Sequence, residues 1–484
     1  MTTKQLAPVL VTAAVVRTCF LLWSWSDGYF FVPQSTLSQI YFKEGYAIAA
    51  GYGYVLGNSP KGDAVLDEIY RSVTFDKRTA LPGSAEPLSI DDIRAELLHP
   101  PGMPILVAAV HRTFDTTADL PIQLIGVALD IVSAGIVWWT LRFVFGARLA
   151  LLAGLLYAIF PPFAYYAVAK EPDGMVTFFV AGTLACTLKA TTKDNWHALL
   201  WNIIGGVCIG LGGYLRPDYL LVAVVMLFGL WAYTRRFWHS LFAVGVMQLV
   251  AVLLLTPWAY RNYNICGRLI FTSTSVGGTL ITGLGEFDNP WGFGGTDEDR
   301  MRQATAQGIS SPWDCEGDLY FQGLFFKSIQ EHPGAYLMSI VKRLPLVLAT
   351  PYGFGFQNPW KTQTFTEARE SGADRYQVLL RQPWYVLAAY WDYLAMSGFA
   401  LLCFMATLVM TVKERDKAGI ILLLISPYLY SVGTHILTHM EPRFLLPSMF
   451  CLMPGLAYVL SGLSSDLLLD PDPAVHYRGV PRNT

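Results

Sequence analysis

Apolar runs of about twenty residues recur along most of this chain, and a helix of that length crosses the roughly 30 Å hydrocarbon core of a bilayer. Only 14% of the 484 residues are charged and 53% are hydrophobic, whereas a soluble domain carries about 25% charged residues. A large soluble core does not account for the excess, because single cores stop growing near about 250–300 residues. The mean hydropathy of +0.40 agrees. A soluble enzyme, a disordered chain and a collagen-like chain are excluded. The expected fold class is an all-α polytopic membrane protein.

Apolar length and breakers predict about ten transmembrane helices, near 5–25, 120–141, 147–163, 174–190, 198–214, 219–234, 238–258, 384–411, 418–437 and 442–461. Short cytoplasmic loops collect Lys and Arg. With the N-terminus inside, the inner turns hold Arg142 and Arg148, Lys189 and Lys193, Arg235 and Arg236, and Lys413, Arg415 and Lys417. Every short inner turn is then basic. The run 100–113 is too short to cross and reads as an interfacial helix, as does 335–350. Two large loops, 26–119 and 259–383, fall on the outer face of a single membrane domain, and 462–484 forms a cytoplasmic tail. Loops of that size are usually functional. The expected location is the cell inner (plasma) membrane, multi-pass, with both termini cytoplasmic. The first run lacks a small-x-small cleavage site and reads as an uncleaved span.

Net charge is −2, so no global field draws in nucleic acid. The seven cysteines include no C-x-x-C pair, and neither a zinc motif nor a redox motif is indicated. Cys266 and Cys315 share the second outer loop and can pair in an oxidising periplasm.

Charge gathers at the outer turns. Lys170-Glu171-Pro172-Asp173 stands at a helix mouth. Asp173 there is either stabilised by a helix N-terminus or poised as a general base at the membrane surface. Arg216 and Arg261 each sit just outside a span, and Arg443 stands at the last outer turn. Such residues snorkel to head groups or, together with Lys170, take the oxygens of a phosphate, which suit guanidinium forks. His435 and His439 share a helix face without the H-E-x-x-H frame of a zinc enzyme, and packing is the expected role. Arg17 and Asp130 lie within spans and read as fixing the bundle. In the first loop, Tyr41 to Val55 ends a helix at Gly51-Tyr-Gly53, and Glu96-Leu-Leu-His99-Pro-Pro-Gly102 leads into another.

In order along the chain, these pieces resemble the integral-membrane C-type glycosyltransferases. The most similar branch is glycosyltransferase family 39, that of the protein O-mannosyltransferases and the lipid A aminoarabinose transferase. The resemblance rests on Tyr41 to Val55, His99-Pro-Pro-Gly102, Gln123 to Asp130 with Arg142 to Gly146, Lys170 to Asp173, Arg216-Pro217, Pro257 to Tyr263 with Gly277-Gly278, and Glu441-x-Arg443-Phe-x-x-Pro447. It implies transfer of a sugar from a polyprenyl-phosphate donor to a lipid, glycan or protein acceptor on the periplasmic face, by a single inverting displacement. The family's second acid maps onto Glu171 or Asp173. Its first acid falls near Thr36, Leu37 or Ser38, none of them acidic, and Asp27 and Glu44 are the nearest substitutes. The base is therefore Asp27, Glu44 or Asp173, and the donor phosphate is expected on Lys170, Arg216, Arg261, His99 and Arg443. Membrane lipids complete the partners. No metal site is assigned, although a divalent metal is compatible with the donor chemistry. The rival reading is a lipid-sugar flippase or transporter without bond chemistry, which would place its charges near the bilayer midplane.

Overall fold

The computed structural model describes residues 5–25, 36–57, 93–116, 118–193, 195–349 and 383–462. Among them, eight helices are long and apolar enough to cross a membrane: Leu6–Ser24, Leu120–Phe145, Trp196–Leu215, Pro217–Thr234, Phe237–Cys266, Ala395–Lys413, Arg415–Leu437 and Arg443–Gly462. Two further apolar helices, Ala147–Ile159 and Pro161–Val168, meet at 53°, the geometry of a broken span or a re-entrant loop. The span expected near 147–163 is therefore broken at Phe160. Pro161 and Pro162 remove two donors and push the preceding residue out of helical geometry, and Phe160 is extended at φ −69°, ψ 113°.

In chain order the helices are α1 (Leu6–Trp25), α2 (Thr36–Ala50), α3 (Gly102–Phe114), α4 (Leu120–Phe145), α5 (Ala147–Ile159), α6 (Pro161–Val168), α7 (Pro172–Ala190), α8 (Asn195–Leu215), α9 (Val222–Thr234), α10 (Phe237–Cys266), α11 (Val276–Gly285), α12 (Asp297–Ala306), α13 (Cys315–Glu331), α14 (Pro333–Ala349), α15 (Pro383–Lys413), α16 (Ala418–Leu437) and α17 (Met453–Gly462). A two-stranded antiparallel ribbon pairs β1 (Val55–Gly57) with β2 (Ile93–Ala95), Leu56 opposite Arg94.

The tenth expected span, 174–190, is α7, which is not among the eight. Asp173, Thr177, Thr183, Thr187 and Lys189 dilute its apolarity, and nearly all of it is buried. A helix wrapped by other helices needs no lipid-facing stripe. It packs between α4 and α8. The approach at its head is close. A Cβ on Gly174 would meet the Tyr166 carbonyl, and one on Gly126 of α4 would meet the Ala167 carbonyl, so α6 is gripped from both sides.

Inside the bundle, Arg17 Nε donates to Asp130 Oδ2 at 2.5 Å, and the Tyr157 hydroxyl donates to Asp130 Oδ1 at 2.5 Å. Arg17 also reaches the carbonyls of Ala158 and Tyr157. The bundle-fixing role expected of both residues is what the packing of α1 against α4 and α5 displays. At the end of the bundle where α4 and α7 finish, Lys189 lies over Trp139 at 5.4 Å.

At the other end, α2 packs on α3 and stops at Gly51, whose φ of +95° is open to glycine. α3 is 13 residues long and buries Met103, Val107 and Val110 on one side. α10 runs on to Cys266, past the end expected near 258, and carries Pro257 within it. Its last turns are held from the side by Trp258 Nε1 donating to the Thr272 carbonyl at 2.8 Å and Asn262 Nδ2 donating to the Ile270 carbonyl at 2.9 Å. Cys266 and Cys315 form a disulfide, tying α10 to a small unit in which α11, α12 and α13 enclose Ile281, Leu284, Phe321 and Phe325. Asp27, the segment 350–382 and the tail from 463 lie outside the described residues.

Candidate active site

The chain enters α7 through Lys170-Glu171-Pro172-Asp173. Pro172 takes the first helical position, where its missing N–H leaves nothing unsatisfied, and Asp173 follows in the first turn. A carboxylate there is favoured by the helix N-terminus, and Asp173 is only 1% exposed. Arg216 leaves the end of α8 in extended conformation, at φ −144°, ψ 116°. Its Nη1 donates to Asp173 Oδ1. Its Nε and Nη2 make a fork onto Asp218 at 3.0 and 3.1 Å. The guanidinium plane lies over Phe444 at 4.6 Å, and His435 Nε2 stands 3.5 Å from Asp218 Oδ2.

From the turn after α16, Arg443 donates to Glu171 Oε2 at 3.3 Å and to Glu441 Oε2 at 2.9 Å, while its Nε is buried without a hydrogen-bond partner. His439 Nδ1 meets Glu286 Oε1. Glu286, just past α11, also takes Arg343 Nε at 2.6 Å. Burial works to raise the Glu441 carboxyl, but His439 and Arg443 outweigh it and hold it at about 2. Burial opposes the His439 cation, and Glu286 and Glu441 outweigh it and raise that imidazole. Three arginines and five acids from five separate stretches thus converge at one end of the bundle.

Beside them stands a second cluster. Glu44 on α2 and Glu96 after β2 both face His99 Nδ1, with Oε1 atoms at 3.0 and 3.4 Å. Burial pushes the Glu44 carboxyl up to about 7 against the pull of His99. Burial disfavours the His99 cation, yet Glu44 and Glu96 raise it to about 10. Tyr41, one turn before Glu44, is buried with its ring edge-on to His99 at 5.5 Å. Among the described residues, Glu44, Glu96 and His99 bring their ligand atoms close enough together to hold a metal ion.

Asp173, Glu171, Arg216 and Arg443 therefore come together as the sequence suggests. Glu44 and His99 meet each other instead of joining them directly. Lys170 is engaged with Asp119 and lies over Phe42 at 5.2 Å. Arg261 donates to the carbonyls of Glu96 and Tyr54, both at 3.0 Å, and stacks on Trp258 at 4.5 Å, which makes it a brace for the ribbon. His435 faces Asp218, and His439 faces Glu286 and Glu441. Ser38, where the first acid is expected, is buried on α2. Sequence reasoning missed Asp218, Glu286, Arg343 and Glu96. Only two of them carry a local signal, Asp218 two residues after Arg216 and Glu96 three before His99.

Residues 98–260 match the family described as dolichyl-phosphate-mannose-protein mannosyltransferase. No curated protein matches the sequence. The fold is similar to that of the archaeal oligosaccharyltransferase AglB from Archaeoglobus fulgidus, solved with an inhibitory peptide and a dolichol-phosphate. That match has a TM-score of 0.50 and 16% identity, over 94% of this chain and 50% of the other. The Archaeoglobus fulgidus oligosaccharyltransferase tethered to an acceptor peptide with the NVT sequon gives 0.48 and 13%, over 94% and 49%. The chain thus spans about half the length of these solved relatives. The family match thus covers about a third of the chain, residues 98–260, and the fold over nearly all of it is similar to that of an archaeal oligosaccharyltransferase.

Proposed function

We propose that this end of the bundle faces the periplasm and transfers a sugar from a polyprenyl-phosphate donor to a hydroxyl or amine acceptor, on a lipid, a glycan or a protein. The observation that carries the reading is the buried meeting of Arg216 and Arg443 with Asp173 and Glu171. In the free protein the carboxylates neutralise the guanidiniums. A donor phosphate competes for the same forks, which suit its oxygens, and frees a carboxylate oxygen to accept a proton.

Asp173 then takes the acceptor's proton while the acceptor atom attacks the anomeric carbon. The bond from that carbon to the phosphate oxygen breaks, and its electron pair leaves on the polyprenyl phosphate. Arg216 and Arg443 stabilise that growing charge, often the largest catalytic contribution. One displacement inverts the anomeric centre. The basic turns at the opposite end of the bundle support the outward orientation, and the dolichol-phosphate held by AglB supports the donor class.

The test is release of polyprenyl phosphate from a panel of lipid-phosphate sugars, using purified protein in lipid with membrane extract as acceptor source. Asp173→Asn should lower the rate by about 10²–10⁴-fold, the range of a lost general base, with the fold checked by size-exclusion profile. Near-normal turnover would remove Asp173 as the base. Passage of the lipid-sugar across the bilayer with no phosphate released would replace transfer by transport.

A further inference from the structure

We propose that Glu44, Glu96 and His99 form a site for a divalent transition metal of the zinc class, which ties α2 to the segment leading into α3. The inference stands apart from the sugar-transfer reading, since it rests on a different cluster. The two carboxylates are fully buried, and both aim at one imidazole nitrogen. One proton on Nδ1 is all that His99 offers them. The second oxygen of each, Glu44 Oε2 and Glu96 Oε2, is left buried with no hydrogen-bond partner. Two buried carboxylates around one cation of single charge leave demand for a second positive charge, and a divalent ion in place of the Nδ1 proton supplies it.

The spacing fits. Bonds of about 2.0–2.2 Å to nitrogen and oxygen put neighbouring ligand atoms of a tetrahedral ion roughly 3.3 Å apart. His99 Nδ1 stands 3.0 Å from one carboxylate oxygen and 3.4 Å from the other. One imidazole and two carboxylates, with no thiolate, suit zinc or manganese better than a soft ion.

Metal ligands are usually held by outer partners, and these are. The His99 backbone N–H donates to Glu96 Oε1 at 2.8 Å, the Tyr54 hydroxyl donates to the His99 carbonyl at 2.9 Å, and Arg261 holds the Glu96 carbonyl at 3.0 Å. The cluster reaches solvent through His99, whose side chain is 14% exposed.

The experiment uses the full chain in lipid nanodiscs, stripped with chelator and titrated with zinc, manganese or magnesium chloride. Metal content is read by mass spectrometry after dialysis, and stability by melting temperature. The expected result is about one zinc per chain with a higher melting temperature, both lost in Glu44→Gln and His99→Gln and both kept in His439→Gln. Should Glu44→Gln fail to fold, Glu96→Gln serves in its place. No bound metal and no thermal shift with any of the three salts would overturn the site. So would stoichiometric zinc that persists in folded Glu44→Gln and His99→Gln.

Discussion

The chain buries charge in two places, and the two are built differently. In the middle of the bundle, Arg17, Asp130 and Tyr157 form a closed set in which the guanidinium is shared between one carboxylate and two carbonyls. At the end of the bundle, the network branches from Asp173 through Arg216 and Asp218 to His435, and from Glu171 through Arg443 and Glu441 to His439 and Glu286. There Arg443 Nε is buried without a hydrogen-bond partner. A closed set of charges holds helices. An open one has capacity left for something else, and that separates scaffold from site.

The sharpest way to break the comparison is to remove charge from both places as pairs. A lone Arg17→Leu should cost about 3–5 kcal/mol, because it strands a buried carboxylate, whereas Arg17→Leu with Asp130→Leu should recover most of that loss. The same paired replacement at Arg216 and Asp173 should leave a folded protein that releases no polyprenyl phosphate. Melting curves beside the release assay check both. If the Arg17–Asp130 double variant folds but is inactive, the scaffold assignment fails.

A smaller effect is expected from the disulfide. Cys266 and Cys315 close a separation of 49 residues, and Cys266→Ser with Cys315→Ser should cost about 2–4 kcal/mol. The loss should appear first as protease sensitivity of α11 to α13, with α1 to α10 still protected. Uniform cleavage would show that the small unit is not separately tied.

The smallest effect concerns pH. The lowered Glu441 contributes stability above its ordinary value of about 4.3, and that contribution fades as pH falls towards about 2. The raised His439 contributes fully below its ordinary value of about 6.5 and loses its contribution as pH rises through the raised one. The link among Glu286, His439 and Glu441 is therefore strongest between about pH 4.5 and 6.5. Since the Glu441 side chain is 39% exposed, the effect should be about 1 kcal/mol or less. Melting temperature should decline on the alkaline side in the wild type, and the decline should shrink in His439→Gln.

Much of this was legible in the sequence. Apolar length located the crossings, and basic turns fixed which connections share an end. Ionisable residues inside spans pointed to Arg17 and Asp130, and charge at span mouths pointed to Asp173, Arg216 and Arg443. What stayed hidden depends on approach through space. Nothing local brings Glu44 to His99 across 55 positions or Glu286 to His439 across 153. The polarity of α7 hid its place as an inner helix, because apolar length reports contact with lipid and α7 has little. Lys170 and Arg261 look like anion ligands in sequence, yet Asp119 and two backbone carbonyls lie within their reach.

The grip on α6 has a mechanical consequence. With Gly126 closed on the Ala167 carbonyl and Gly174 on that of Tyr166, no side chain separates the three backbones, and none can slide past another without the contact being lost altogether. The mouth that carries Asp173 is in effect an anvil. A rocking motion that opened a path through the bundle would have to pull α6 from both neighbours at once.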